Sequence, residues 1–437
     1  MSNPNIIRER IDNGPVTPTM LLVVAIGFLL SLVDGFDVIA MSVSAPYLSV
    51  EWGVSRAELG PIFSAALIGM AVGAALLAPF ADKYGRRLIL LLATISIGIS
   101  MIVTGLLPKS IILLVIVRFI AGLGVGVIFA NAATIASEFA PARYKHIAVT
   151  TAIMGYASGA TVVGPVANMI IPAQGWEMLF IYGGIATLIM GAFIHFSMPE
   201  SVDYLASRKE NREANLVKIN EILKRLKREP IDEIPEHAEA AHLKAASVKS
   251  ILNDDFRGQT LALWTTYFMG FMTLYFLLSW IPTLFVDSGY ERSAGIDALS
   301  YFNLGAVVGI IAIGLIATKI KLAKPIALFF LGSAIFLIYV YFDQPKALLA
   351  LNTLIFIIGF LLQGAFTALY ALAAHIYPTK VRATGVGWAA GLGRVGAIVA
   401  PIIAGLLTAS GWDMHGLFLL FSVPLLIAAA MVARFKV

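Results

Sequence analysis

Apolar residues run through this chain in long blocks separated by short polar turns. Twelve blocks can be read, at about 20–49, 57–81, 88–107, 111–139, 146–172, 177–198, 258–286, 295–318, 324–342, 346–377, 383–409 and 414–433. Each is long enough to cross a hydrocarbon layer about 30 Å thick as a helix. The pattern predicts an all-α membrane protein of twelve transmembrane helices. One long polar stretch, residues 199–257, divides the chain into six spans and six. It separates an expected N-terminal six-helix bundle (1–198) from a C-terminal one (258–437), with 199–257 as the linker. Within the linker Leu216, Ile219, Ile222, Leu223 and Leu226 recur at helical spacing among Lys, Arg and Glu. That spacing predicts an amphipathic helix lying on the bundle.

The halves repeat at an offset of 236–237 residues. Glu51-Trp-Gly53-Val-Ser-Arg56 matches Asp287-Ser-Gly289-Tyr-Glu-Arg292, Pro46 matches Pro282, and Asp82 falls on Thr318. Pro141 falls on Pro378 and Gly159 on Gly396. One offset serving five separate places indicates parallel pseudo-repeats with a site at the midplane between them. Composition agrees, with 59% hydrophobic and only 13% charged residues and a mean hydropathy of +0.87. These values lie outside the soluble range. The absence of cysteine excludes disulfides and thiolate metal sites. The first nineteen residues are polar and carry no cleavable signal pattern. If the N-terminus is cytoplasmic, the inside segments hold 25 of the 31 Lys and Arg residues. The outside loops then hold four: Arg56, Lys109, Arg292 and Lys346. This bias predicts a multi-pass protein of a cell (inner) membrane with both ends cytoplasmic. It also explains the net charge of +5 without a nucleic-acid partner.

Charges inside the spans are the candidates for chemistry. Asp34 and Asp37 lie near the centre of the first span, three residues apart and so on one helix face. A carboxylate there is costly unless it faces a cavity, takes a proton or finds a cation. The reading is proton coupling, with Arg118 of span four as the competing cation; the alternative is a polar pair bonded to the facing span. Arg394 lies 12 residues past Arg382, roughly 18 Å into span eleven. A guanidinium suits a substrate carboxylate in planar, bidentate contact. The alternative is a structural pair with a buried acid, and the mid-span acids, Asp34 and Asp37, lie in the opposite half. Glu138 and His375 occupy matching positions three residues before Pro141 and Pro378, where latch or gate contacts are expected. Phe36, Tyr156, Tyr267, Tyr275, Trp280, Tyr370 and Trp388 are candidate aromatic walls, against packing as the plainer reading. Asn131, Asn303 and Gln363 are polar groups able to bond ring substituents.

ADKYGRR (Ala81–Arg87) between spans two and three resembles the cytoplasmic loop signature of the major facilitator superfamily. That resemblance implies a charge-pair latch for alternating access, here of Asp82, Arg86 and Arg87, with Glu138, Arg382 and His375 as further gate residues. The usual glycine four residues before the acid is Ala78, which is expected to loosen or shift the close helix contact. The second copy, GLIATKIK from Gly314, keeps the glycine but has Thr318 in place of the acid. Arg118-Phe-Ile-Ala-Gly122-Leu-Gly-Val-Gly126 resembles the superfamily's RxxxGxxxG pattern. Four stretches resemble the aromatic acid:proton symporters: DGFD from Asp34, GPIFSAALIGM from Gly60, TYFMGFMTLYFLLSWIPTL from Thr266 and YPTKVRATGVGWAAGLGRVG from Tyr377. The resemblance implies proton coupling through Asp34, Asp37 and Arg118. It implies substrate binding by Arg394 with Tyr275 and Trp280, to which the residue reading above adds Trp388, Phe36, Tyr156, Asn131 and Gln363 as candidates.

The expected function is thus proton-coupled import of a small aromatic or related carboxylate by alternating access, by a monomer in the lipid bilayer. A drug:proton antiporter or sugar-type porter is the alternative. Gly159-Ala-Thr-Val-Val-Gly164-Pro165 resembles the start of an antiporter signature but continues Val166, Ala167, Asn168 where paired glycines are needed. With no P-loop, GxSxG or metal-spaced histidine cluster, neither an enzyme nor a cofactor or metal is expected.

Overall fold

The computed structural model describes residues 6–208, 210–235, 248–253, 256–317 and 320–435. Among these, twelve helices are long and apolar enough to cross a membrane. A short helix, α1 (Ile6–Asp12), precedes the spans of the first half. Those spans are α2 (Pro18–Trp52), α3 (Arg56–Val72, continued by a π-helical turn to Leu77), α5 (Arg86–Leu106), α6 (Ile111–Phe139), α7 (Lys145–Gln174) and α8 (Trp176–Ser197). The turn α4 (Phe80–Tyr84) leads into α5. The linker carries α9 (Val202–Ser207) and α10 (Arg212–Arg225). The second half is α11 (Arg257–Asp287), α12 (Arg292–Ala317), α13 (Ala323–Asp343), α14 (Leu348–Ile376), α15 (Thr379–Ala409) and α16 (Met414–Val432). All twelve blocks read from the sequence are therefore helices, with ends moved by a few residues.

Polar residues at the block edges start these helices. Thr17 accepts from the Met20 amide ahead of α2, whose first residue is Pro18. Ser55 and Glu58 close a capping box on α3, and Asp413 caps α16. The repeat is visible in the backbone. Gly53 and Gly289, matched by the offset, both end a span in the left-handed region, at φ 71° and 89°.

Within the first half α2 packs on α7, α3 on α6 and α5 on α8; within the second α11 packs on α15, α12 on α14 and α13 on α16. The two halves thus share one pairing scheme. Even single contacts recur at the offset. Gly159 of α7 lies against the Leu32 carbonyl of α2, and Gly396 of α15 against the Phe268 carbonyl of α11. Lipid tails are as apolar as leucine, so helices in a bilayer associate through close backbone approach instead. The α3–α6 seam illustrates this. Gly69 and Gly73 meet the Phe119 and Leu123 carbonyls, while Gly122 and Gly126 meet those of Ala66 and Met70. The close contact expected near Ala78 is made one turn earlier, by Gly73, and Ala78 is simply buried. Thr318 and Lys319 lie outside the described residues.

Both chain ends and the linker share one face of the bundle, here the linker face. There α10 buries Ile219, Ile222 and Leu223, as its spacing predicts. Arg228 donates to the carbonyls of Ile11 and Pro15, and Arg10 pairs with Glu229 at 2.9 Å, so the linker holds the segment around α1. Gly122→Val forces a branched side chain into the Ala66 backbone, where overpacking costs about 1–3 kcal/mol. A lower midpoint of thermal unfolding in detergent, followed by tryptophan fluorescence, is the expected result.

Candidate functional site

The halves meet along α3–α15, α7–α12 and α2–α11. The contacts seal the face opposite the linker. Arg56 grips Asp287 with two bonds, of 3.0 and 2.5 Å. Ser64 donates to the Ile398 carbonyl at 2.6 Å, Asn168 to Asp297 at 2.7 Å, and Asn303 to the Ala160 carbonyl at 3.2 Å. Arg292 lies 4.7 Å over the Tyr47 ring. Along α15 the residues that meet α3 are Ile398, Pro401, Ile402 and Gly405. The same helix face continues toward the linker through Arg394, Gly391 and Gly387, and there the contact stops. Nothing stands within 4 Å of where a side chain at Gly387 or Gly391 would begin. Trp388 is 47% and Phe129 39% exposed. The space between the halves is therefore closed at the far face and open at the linker face.

Arg394 sits one turn below this seal, at the closed end of the opening. It is half-buried, with its guanidinium carbon 5.2 Å over the Phe129 ring of the other half. No carboxylate among the described residues pairs with it. Tyr275 and Tyr370 lie within its electrostatic reach. Behind them is an aromatic box. Phe271 stacks on Tyr275 at 5.8 Å and meets Phe366 edge-on at 4.5 Å. Tyr267 meets Tyr370 edge-on at 5.4 Å. Phe271 and Phe366 escaped the sequence reading. Each stands four residues before a tyrosine that was noticed, and that i,i+4 aromatic spacing on α11 and α14 was the available signal.

Opposite lies the charged cluster of the first half. Arg118 bonds Asp37 at 2.9 Å and Thr104 at 3.1 Å, and lies over the Phe180 ring at 5.1 Å. Arg118 is 1% and Asp37 0% exposed. Such a pair survives in an apolar interior because each charge answers the other and the hydroxyl takes a further donor. Asp34 is equally buried, and its Oδ1 finds no partner among the described residues. A small pocket joins Asp37 and Arg118 of this cluster to Tyr275 and Ser279 of the second half.

The other expected site residues divide. Tyr156 is buried within electrostatic reach of Tyr275, Asp34 and Asp37. Gln363 is half-buried on α14, and Trp388 lies beside Trp264 at 6.2 Å, toward the open face. Asn131 bonds the Val127 carbonyl of its own helix. Phe36 points away from the opening, against Met101 and Gly183. Trp280 is fully buried in the far-face seal, edge-on to Phe63 at 5.7 Å.

At the linker face Arg86 bonds Glu138 at 2.7 Å and Asp82 at 3.3 Å. The Arg87 amide donates to Glu200 at 3.1 Å and its guanidinium to the His195 carbonyl. Arg8 of α1 donates to the carbonyls of Ser137, Glu138 and Ala140, closing the end of α6. Among the described residues, Arg382 and His375 make only local bonds, to the carbonyls of Tyr377 and Ala371. The charge cluster is thus assembled in the first half, and these two residues do not join a second one.

The family model described as Major Facilitator Superfamily matches residues 27–365 and 298–437. The chain belongs to the major facilitator superfamily. Its relatives there are transporters rather than enzymes. It is 35% identical to a 4-hydroxybenzoate transporter, PcaK, of Pseudomonas aeruginosa, over 98% of this chain and 94% of that one. It is 32% identical to a gallate transporter of Pseudomonas putida (97% and 93% covered) and 29% to a benzoate transport protein of Acinetobacter baylyi (97% and 91%). Among solved structures, the xylose transporter XylE of Escherichia coli in an inward open conformation superposes with a TM-score of 0.74. It covers 96% of each chain at 17% identity, a likeness of fold alone.

The Arg56–Asp287 pair is about a quarter exposed, and such a pair contributes about 1 kcal/mol at most. Asp287→Ala is expected to shift the balance toward opening at the far face by up to about fivefold. The chain has no cysteine, so thiol labelling of Gly391→Cys reads the linker-face opening directly. Labelling should slow in the double variant.

Proposed function

We propose that the chain imports a small aromatic carboxylate together with protons, by alternating access, across a cell membrane in which both chain ends are cytoplasmic. The orientation rests on the concentration of Lys and Arg at the linker face. On it, the opening described above faces the cytoplasm. Residues 1–198 and 258–437 are taken as the two moving bodies, joined by 199–257.

The observation that carries the substrate class is Arg394. A guanidinium at the closed end of a cavity, with no carboxylate partner among the described residues and beside an aromatic box, is matched by an aromatic anion. The carboxylate takes the planar fork of donors, and the ring lies among Tyr275, Phe271, Phe366 and Tyr370. Full-length similarity to transporters named for 4-hydroxybenzoate, gallate and benzoate supports the same class.

The proton side follows from the first-half cluster. Asp34, buried with no cation bonded to it among the described residues, is the carboxyl that takes the proton; Asp37 is paired with Arg118. With the far face open, anion and proton enter together and the site is neutralised as a unit. Closure of Arg56 on Asp287 and Ser64 on Ile398 then turns the loaded site to the cytoplasm. The Arg118–Asp37 bond seen here is that of the release state.

The test is uptake into proteoliposomes of labelled 4-hydroxybenzoate, protocatechuate, vanillate, benzoate, muconate and nicotinate, with and without an inward proton gradient. Gradient-driven accumulation of one or more acids is expected. Arg394→Ala should weaken binding at least about 30-fold, since truncating one partner of a desolvated charge pair costs about 2 kcal/mol or more. Asp34→Asn should abolish gradient-driven accumulation. Folded protein that accumulates none of the acids would turn attention to antiport of hydrophobic drugs.

A further inference from the structure

We propose that Tyr156 and Tyr275 form a hydroxyl relay that couples the protonation of the first-half carboxylates to anion binding in the second half. The proposal rests on the symport reading above and adds the residues by which its two sites communicate.

Tyr156 belongs to α7 and Tyr275 to α11, so the pair spans the two bodies. The backbone of Tyr156 is pressed against α2. Its carbonyl occupies the place where a side chain at Gly35 would begin, between Asp34 and Asp37 in sequence. A glycine there is what lets the α7 backbone at Tyr156 approach α2 this closely. Its hydroxyl is buried within electrostatic reach of Tyr275, Asp34 and Asp37 and has no hydrogen-bond partner among the described residues, so in this linker-face-open structure the relay is not made. Tyr275 touches both sites. It lines the small pocket with Asp37 and Arg118, and its ring stacks on Phe271 in the box beside Arg394. Around the pair stand Asp34 and Asp37 from α2, Arg118 from α6, Tyr370 from α14 and Arg394 from α15.

A hydroxyl both donates and accepts, and that gives the relay its polarity. An ionised carboxylate accepts only, so it draws the Tyr156 hydrogen toward itself. Once protonated, the carboxyl donates instead. Tyr156 then accepts from it and turns its own hydrogen toward Tyr275, whose hydrogen is released toward the anion on Arg394. No bond to hydrogen breaks along the way: the proton stays on the carboxyl and only the direction of the hydrogen bonds reverses. The anion site gains a donor when, and only when, the proton is aboard. Because one hydroxyl rides on each half, the relay also lapses when the halves separate at this level.

The test uses Tyr156→Phe and Tyr275→Phe in the full chain, in proteoliposomes, with labelled 4-hydroxybenzoate as probe. Two transport modes are compared: accumulation driven by a proton gradient, and counterflow at equal pH on both sides. Binding is also measured between pH 6 and 8. A relay predicts that accumulation falls about tenfold further than counterflow, the effect expected of one hydrogen bond to a charged group. It also predicts that the pH dependence of affinity flattens in both variants. A parallel fall of both modes with the pH dependence intact would reduce the tyrosines to packing or plain binding and overturn the proposal. Unchanged transport and pH dependence would overturn it as well. Failure of the wild-type protein to accumulate any acid would instead remove the symport reading beneath it.

Discussion

A charge inside a hydrocarbon layer must be answered, and how each one is answered organises this molecule. Arg118 is answered within the protein: Asp37 and Thr104 take its donors and Phe180 covers one face. That ties α6 to α2 and α5 and makes the first half a single body. Arg394 is met by an aromatic face and an opening rather than by an acid. Two arginines at similar cost in the bilayer have opposite solutions. The first ties the frame of the first half together; the second faces the opening with no acid paired to it among the described residues.

The scaffold is symmetric and the chemistry is not. Glycine seams recur from one half to the other, as Gly159 on Leu32 and Gly396 on Phe268 show. The charges do not recur. At the repeat offset Asp34 and Asp37 fall on Gly270 and Thr273, Arg118 on Leu354 or Ile355, and Arg394 on Ala157 or Ser158. Backbone packing is a demand the bilayer makes on both halves alike, so it persists in both. The charges inside the spans are under no such common demand, and each half carries its own set. On the function proposed above, a proton site in one half and an anion site in the other would both bear on how the halves meet.

The spans, the repeat and the charged residues were legible in the sequence because the bilayer writes them in length and polarity. What those residues bond was less so. Arg118 and Asp37 stood out singly, yet 81 positions separate them and nothing in their spacing states the contact. The aromatic walls were harder. Span helices such as α2 and α11 are apolar all round, so periodicity does not tell a cavity-facing ring from a packed one. Tyr275 and Tyr370 fell beside Arg394, whereas Trp280 went into the far-face seal and Phe36 against Met101. The shifted helix contact at Ala78 had a sequence sign, but its new place at Gly73 depended on the π-helical turn.

The seal at the far face shows why such a machine can turn over. It is made of one bidentate ion pair, a few hydrogen bonds and a cation–ring contact, and each is worth about 1 kcal/mol or less where water can reach it. At the linker face, the Asp82–Arg86–Glu138 cluster rigidifies the first half without reaching Arg382 or His375. None of these polar contacts alone therefore traps one state, and differences of this size are within the range that differential binding of a ligand can move. A stronger far-face lock would hold the protein open to the linker side whatever it bound. Between the halves, close backbone contact among the described residues is limited to the far face, as at Gly60 and Gly405. The glycine seams within the first half run along whole helices, so the halves part from each other more readily than either comes apart.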